Sequence, residues 1–437
     1  MKVFQVLNNF LPEQIAGTEV YTWALSKALQ KYGVNVKVII PNYGKVDSED
    51  YIYDNLQVHK YTETSIVDRS LIMGFKNSNG LECYKKYIEE HKPDIVHFHE
   101  IAGSNGISLN HILAAKSTGT KIIFTFHLAS NTCKTGSLIQ NELSLCDGKI
   151  DINKCTACYL QTKNRGSVLA SVSSLFYKLH INTTKWNSKI GTAFGSSFLI
   201  EKQKKDFETL INSCDQVVTL TKWYEKVLHL NGVSPFKINF IPQALPSSIR
   251  GGLINTEKDG SKVLKVIFLG RISHFKGLHL LIAAVTKLPF DKIRLDIYGQ
   301  SENSDYEKIL KEKSKVYSNI RWRGKLLQKN VLQTIQQYDI LCLCSTFSEM
   351  SPLVIQEAFA AGVPVLASDV YGNSEQISHN KNGWLFKFKN EYDLQIQLQK
   401  LIDNPAMIEK AKGNIKPVRD FEMIAKEQLI VYKKAMA

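Results

Sequence analysis

The chain has 437 residues, well beyond the size at which one hydrophobic core stops growing, so two domains of about 200 residues are expected. A hydrophobic content of 44% excludes a disordered polymer, and no apolar run of about 18 residues exists to form a membrane-spanning helix. The net charge of +14 suits a partner carrying phosphate or an anionic lipid surface; nucleic acid is disfavoured because no recognition motif accompanies the charge.

From the N-terminus, VFQVL (3–7) reads as a first strand, its apolar run too short for a signal-peptide core. GTEVYTWALSKALQKYG (17–33) then has the spacing of an amphipathic helix closed by Gly33. VKVII (36–40), DIVHFH (94–99) and KIIFTFH (121–127) are further β-rich runs, and strands alternating with helices predict a parallel, doubly wound α/β sheet. Residues 129–210 read as an irregular insertion, and residues 101–200 carry ten Lys/Arg against three Asp/Glu. The alternation resumes with CDQVVTLT, the helical WYEKVLHLNG and KINFIP (237–242).

At 242–262 the composition shifts to Pro, Gly, Ser and charge, as in a linker. A second series follows: KVIFLG, GLHLLIAAVTKL, RLDIYG, SDYEKILKEKSKVY, IRWRG, KNVLQTIQQY, ILCLCST and PVLASD, again strands alternating with helices. The expected organisation is a first domain over 1–245, a linker at 246–262, a second domain over 263–415 and a final helix over 416–437 that packs on either domain. Two such domains facing each other would line a cleft with strand ends and helix N-termini, where anionic ligands bind.

Two stretches of the second domain carry chemistry. GRISHFKG (270–277) places Arg271 and Lys276 on a strand-to-helix loop, where a guanidinium fork and an ammonium can hold a diphosphate. In FSEMSPLVIQEAFAAG (347–362), Ser351 reads as an N-cap and Pro352 as the first helical residue, with Gly362 closing the helix after Ala361. Glu349 then lies on the preceding loop and Glu357 inside the helix, each offering two acceptor oxygens to hydroxyls. Between them, the amides of Ser351, Leu353 and Val354 form a second anion site.

The four cysteines of the insertion, Cys133, Cys146, Cys155 and Cys158, have the spacing C-x12-C-x8-C-x2-C. They suit a structural zinc ion held by four thiolates, a set of unrelated reduced thiols in a reducing cytoplasm, or two labile disulfides.

With GRISHFKG and the two glutamates in this order, the chain resembles the retaining GT-B glycosyltransferases of family 4, built from two Rossmann-like domains. The resemblance extends over the AGTE loop, DIVHFH, FTFH, GNSEQI and NGWLF. It implies transfer of a sugar from a UDP- or GDP-sugar, without a catalytic metal, to a glycan or lipid-linked acceptor in polysaccharide synthesis at the inner face of the cytoplasmic membrane. It implies that Arg271 and Lys276 bind the donor diphosphate, Glu357 the ribose and Glu349 the transferred sugar. Gly17 would approach the phosphate, His127 the sugar, and His99 and Glu100 would lie on the acceptor side. Three departures from the family pattern stand out: Ala16 where a second glycine is common, Leu128 where Asp is common, and Met350-Ser351-Pro352 in place of Gly-Phe-Gly. A nucleotide-sugar-binding sensor or partner subunit, and another GT-B activity such as an epimerase, are the alternative readings.

Overall fold

The computed structural model describes residues 1–65, 69–72, 76–101, 106–163, 166–186, 188–246, 263–301 and 304–437. All but Pro246 of the expected linker lies outside them. The chain forms two compact units, Met1–Pro242 with Phe421–Ala437, and Gln243–Asp420.

The first unit is built on β1 (Lys2–Val6), β2 (Asn35–Tyr43), β3 (Glu49–Tyr53), β4 (Leu56–Glu63), β5 (Ile95–Phe98) and β6 (Lys121–Phe126). A small hairpin of β7 (Ile139–Gln140) and β8 (Ser144–Leu145) precedes β9 (Gln216–Thr219) and β10 (Ile238–Phe240). The main sheet runs β10-β9-β6-β5-β1-β2-β4-β3 and is parallel except for β3, which pairs antiparallel with β4. β5 and β9 are buried along their whole length, as strands covered on both faces must be. The Gly17–Lys31 helix follows β1 and ends at Gly33, whose φ of 77° is the left-handed conformation a helix stop requires. The final helix, Phe421–Met436, belongs to this unit: Phe421 packs edge-on against Tyr21 with ring centroids 5.3 Å apart.

The insertion is not irregular. It contains the helices Ile152–Gln161, Ser167–Lys178, Lys189–Phe194 and Ser196–Ser213. Asp151 and Ser188 cap two of them through side chains that accept from the amides of Lys154 and Gly191. Where three helices meet, Thr156, Ser173 and Ser197 exchange buried hydroxyl hydrogen bonds of 3.1–3.2 Å. The small polar residues that read as loop are therefore helix caps and close helix crossings.

The second unit has six parallel strands: β11 (Leu264–Leu269), β12 (Ile293–Tyr298), β13 (Ile320–Gly324), β14 (Ile340–Leu343), β15 (Val365–Ser368) and β16 (Gly383–Phe386). Their order is β13-β12-β11-β14-β15-β16, so the direction of winding reverses between β11 and β14. Alternation along β11 sends Val266 and Phe268 to one face and Ile267 to the other. The first pair packs with Leu281, Val285 and Leu394; Ile267 packs with Ile335, Ile355 and Ala358. Helices thus cover both faces, and the carboxyl ends of β11 and β14 flank the reversal, where ligands of doubly wound sheets bind.

Candidate functional site

In the second unit, the loops after β11 and β14 bring the two sequence motifs together. Gly270 leads from β11 into Arg271, which is exposed, and then into the short helical turn His274–Lys276. Gly277 ends that turn at φ 65°, and a Cβ there would lie 1.8 Å from the Cys344 carbonyl oxygen, so only glycine fits. Thr346 fastens the two loops: its amide donates to the Phe275 carbonyl at 2.8 Å and its hydroxyl to the His274 carbonyl at 2.9 Å.

This places the Lys276 ammonium 2.6 Å from Glu349 Oε1, which also accepts from the buried Ser345 hydroxyl at 2.5 Å. Glu349 is 6% exposed, so these donors take the place of water around its carboxylate. Gly372, at φ 86°, packs so closely on the Glu349 backbone that a Cβ would lie 2.0 Å from its carbonyl oxygen.

The helix after Glu349 begins one residue later than its sequence suggests. It runs Leu353–Ala360, with Pro352 as N-cap at ψ 121° and no side-chain cap, so Ser351 precedes the cap. Proline has no amide to place in the first turn, and its extended ψ keeps it just outside the helix. The amides of Leu353 and Val354 begin the helix and have no acceptor within it. Glu357 lies inside, buried, accepting from Gln328 Nε2 at 2.8 Å; burial raises its pKa above the ordinary carboxylate value. Gly362, at φ 71°, closes the helix as expected.

In the first unit, the reversal lies between β1 and β5, and a chain of side chains runs beneath their carboxyl ends. The Gln5 amide nitrogen donates to the Tyr432 hydroxyl at 3.1 Å, and its Oε1 accepts from His99 Nε2 at 2.7 Å. The Tyr432 hydroxyl is also hydrogen-bonded to His97 Nδ1 at 2.9 Å, and His97 Nε2 to the Thr125 hydroxyl at 2.7 Å. With Nε2 protonated, neutral His99 accepts at Nδ1, 3.1 Å from His127 Nε2, which must carry the proton. His127 Nδ1 is then a bare acceptor. Burial lowers the pKa of His97 and of His127 to about 3 and holds that of His99 well below its ordinary value, so all three rings are neutral at physiological pH.

His99 is fully buried, with one ring nitrogen bonded to Gln5 and the other to His127, so in this structure it orients His127. Glu100 fastens the turn after β1, accepting from the Asn8 amide at 2.8 Å. Gly17 is exposed at the first position of its helix. Two residues later stands Glu19, a position the sequence motifs did not single out. It is 2% exposed, its Oε2 has no hydrogen-bond partner among the described residues, and burial, with the Glu100 charge adding to it, raises its pKa to about 7. Its signal was faint: an acidic residue in a first helical turn, ordinarily a helix-dipole partner.

The four cysteines do come together. Cys133, Cys146, Cys155 and Cys158 line one cavity of about 30 Å³, together with Lys134, Lys149 and Lys154. All four are free thiols, yet among the described residues no three of His, Cys, Asp or Glu are arranged to hold a metal ion. Burial raises the pKa of Cys146 and Cys158, and that of Cys155 to about 11, so these groups are thiols at neutral pH. The zinc centre read from the spacing is not formed by this arrangement.

The family model of the glycosyl transferases group 1 matches residues 255–417, and that of glycosyltransferase family 4 matches residues 15–140. An uncharacterized glycosyltransferase of Methanocaldococcus jannaschii is 28% identical over 220 residues, 48% of this chain and 54% of that relative. The O-antigen biosynthesis glycosyltransferase WbnH of Escherichia coli is 34% identical over 140 residues, 32% of this chain and 38% of its own length. The matched region thus spans about half or less of these curated relatives. Among solved structures, HepE of Anabaena in complex with UDP-glucose shares the fold, with a TM-score of 0.59 at 13% identity, covering 100% of this chain and 98% of that one.

Proposed function

Because this chain belongs to the glycosyl transferases group 1, with a family 4 glycosyltransferase region ahead of it, we propose that it moves a sugar from a UDP- or GDP-sugar to a glycan or lipid-linked acceptor in polysaccharide biosynthesis. The observation that carries this reading is the convergence of Lys276, Glu349 and the first amides of the Leu353–Ala360 helix at the winding reversal of the second sheet.

In this reading Arg271 and Lys276 hold the donor diphosphate, with Gly17 approaching it and the amides of Ser351, Leu353 and Val354 adding partial positive charge. Glu357 accepts from the ribose hydroxyls and Glu349 from the transferred sugar. Lys276 then bridges phosphate and Glu349, tying the reacting bond to the sugar's anchor. His127 Nδ1 accepts from a sugar hydroxyl. Transfer proceeds with retention: the acceptor hydroxyl attacks the anomeric carbon on the face the diphosphate leaves, and a departing phosphate oxygen takes its proton. The protein positions the partners and offsets the leaving charge with cations and amides, which requires no divalent ion.

Incubation with a panel of UDP- and GDP-sugars tests this through release of nucleoside diphosphate. One observation favours a second reading, a nucleotide-sugar-binding sensor: Leu128 is 49% exposed where the family commonly has an aspartate. Tight nucleotide binding without turnover of any donor would select the sensor.

A further inference from the structure

The two glutamates of the second unit are held differently. Glu349 faces an ammonium and a hydroxyl, those of Lys276 and Ser345. Glu357, also nearly buried, has among the described residues one donor, the Gln328 amide nitrogen at 2.8 Å, and no ion pair. An ionised carboxylate only accepts, so the amide turns its NH2 group toward Oε1. That bond leaves Oε2 without a protein donor among the described residues, an arrangement that costs free energy until a ligand hydroxyl reaches it. Gln328 comes to this place by packing. It opens the helical turn Gln328–Asn330 after β13, closed by the Asn330 amide donating to the Leu327 carbonyl at 2.9 Å. Leu326 ahead of it, and Val331, Leu332 and Ile335 behind it, pack into the apolar cluster that holds Ile355 and Ala358. Ile355 and Ala358 stand on the Leu353–Ala360 helix on either side of Glu357. The contact that joins the two helices therefore sets the distance from amide to carboxylate. Gln328 itself is only half-buried and Leu327 is exposed, so the apolar packing does not explain an amide at 328.

We propose that Gln328 is a positioning residue for the nucleotide: by holding Glu357 Oε1 it keeps Oε2 turned to the ribose and so restricts the donor to ribonucleotides. The proposal rests on the reading of Glu357 as the ribose acceptor. The last torsion of a glutamate is broad, so an unpinned carboxyl group rotates; with one oxygen pinned, the other points in one direction. Burial favours the protonated carboxyl and the Gln328 bond opposes it, so the amide also favours the form that accepts from hydroxyls. A deoxyribonucleotide would leave Oε2 desolvated and unpaired. A site built around a hydroxyl rejects the analogue that lacks it.

The test is calorimetric titration of the whole chain with UDP and GDP, each against its 2′-deoxy and 3′-deoxy forms. The unsubstituted chain should bind the ribonucleotide about tenfold or more tightly than at least one deoxy form, as a hydrogen bond to a charged group implies. Gln328→Met keeps the length of the side chain and removes the donor. It should weaken ribonucleotide binding about tenfold and leave binding of the discriminated deoxy form within about twofold. Gln328→Asn, which draws the amide back by one methylene, should do the same, with thermal unfolding of each variant confirming a folded chain. Glu357→Ala should abolish the discrimination. If it does, an equal loss for ribo- and deoxynucleotides in the Gln328 variants, or full discrimination kept by both, overturns the positioning role alone. Discrimination kept by Glu357→Ala, or absent from the unsubstituted chain, overturns the ribose reading and the proposal with it.

Discussion

Lys276 and Glu349, 73 positions apart in sequence, form an ion pair of 2.6 Å at the carboxyl ends of two neighbouring parallel strands. Glu349 is nearly buried and shares its Oε1 between this ammonium and the Ser345 hydroxyl. Removing the lysine strands the carboxylate. Lys276→Met is expected to destabilise the protein by about 3 kcal/mol, the low end for breaking a buried pair. Adding Glu349→Gln should recover part of the loss. Denaturant unfolding of the two single variants and the double one checks the coupling.

Gly372 tests the backbone that holds Glu349. A methyl group there meets the Glu349 carbonyl at 2.0 Å and also strains a residue at φ 86°. Gly372→Ala should therefore displace the carboxylate and lower kcat by about a hundredfold, the cost of misplacing a positioning group by about an ångström. Nucleoside diphosphate affinity should stay nearly unchanged, as calorimetric titration would show.

Glu19 makes stability depend on pH. Its pKa is raised from 4.5 to about 7 in the folded protein, so the folded chain holds a proton that the unfolded chain releases. Stability then falls as pH rises from about 4.5 to about 7, by about 3 kcal/mol from this group. Glu19→Gln should be the more stable protein at pH 8, with the advantage gone at pH 4.5. Urea unfolding at the two pH values measures the difference.

The hydrogen bonds from Gln5 through His99 to His127 predict a tautomer. Nitrogen-15 NMR of histidine-labelled protein should show His127 protonated at Nε2 and bare at Nδ1. With pKa values lowered to about 3, His97 and His127 should not titrate between pH 8 and 5. Lowered histidine values mean that this contribution to stability is complete above about pH 6.5 and lost as pH falls towards 3.

Local pattern carried the alternation of strands and helices, the stop at Gly362, and the placing of Glu349 on a loop with Glu357 in a helix. Each depends on neighbours a few positions away. What sequence could not express was long-range pairing. Gln5 and Tyr432 are 427 positions apart, and only the packing of the final helix against the first unit makes Gln5, His97 and His99 one network. For the same reason the sequence could not show that His99 bridges Gln5 and His127. Ser351 was misread for a local reason, because Pro352 suits either a helix's first turn or its cap. The cysteines were rightly grouped by spacing, but spacing says nothing of the lysines and raised thiol pKa values that accompany them.

The central claim is a division of labour: Glu357 holds the nucleotide and Glu349 the transferred sugar. Its most direct measurement pairs nucleoside diphosphate affinity with turnover for Glu357→Ala and Glu349→Ala. Glu357→Ala should weaken nucleotide binding by tenfold or more, about the value of hydrogen bonds to a charged group. Glu349→Ala should leave that affinity within about twofold and chiefly lower kcat. Equal, small effects from both substitutions would contradict the account.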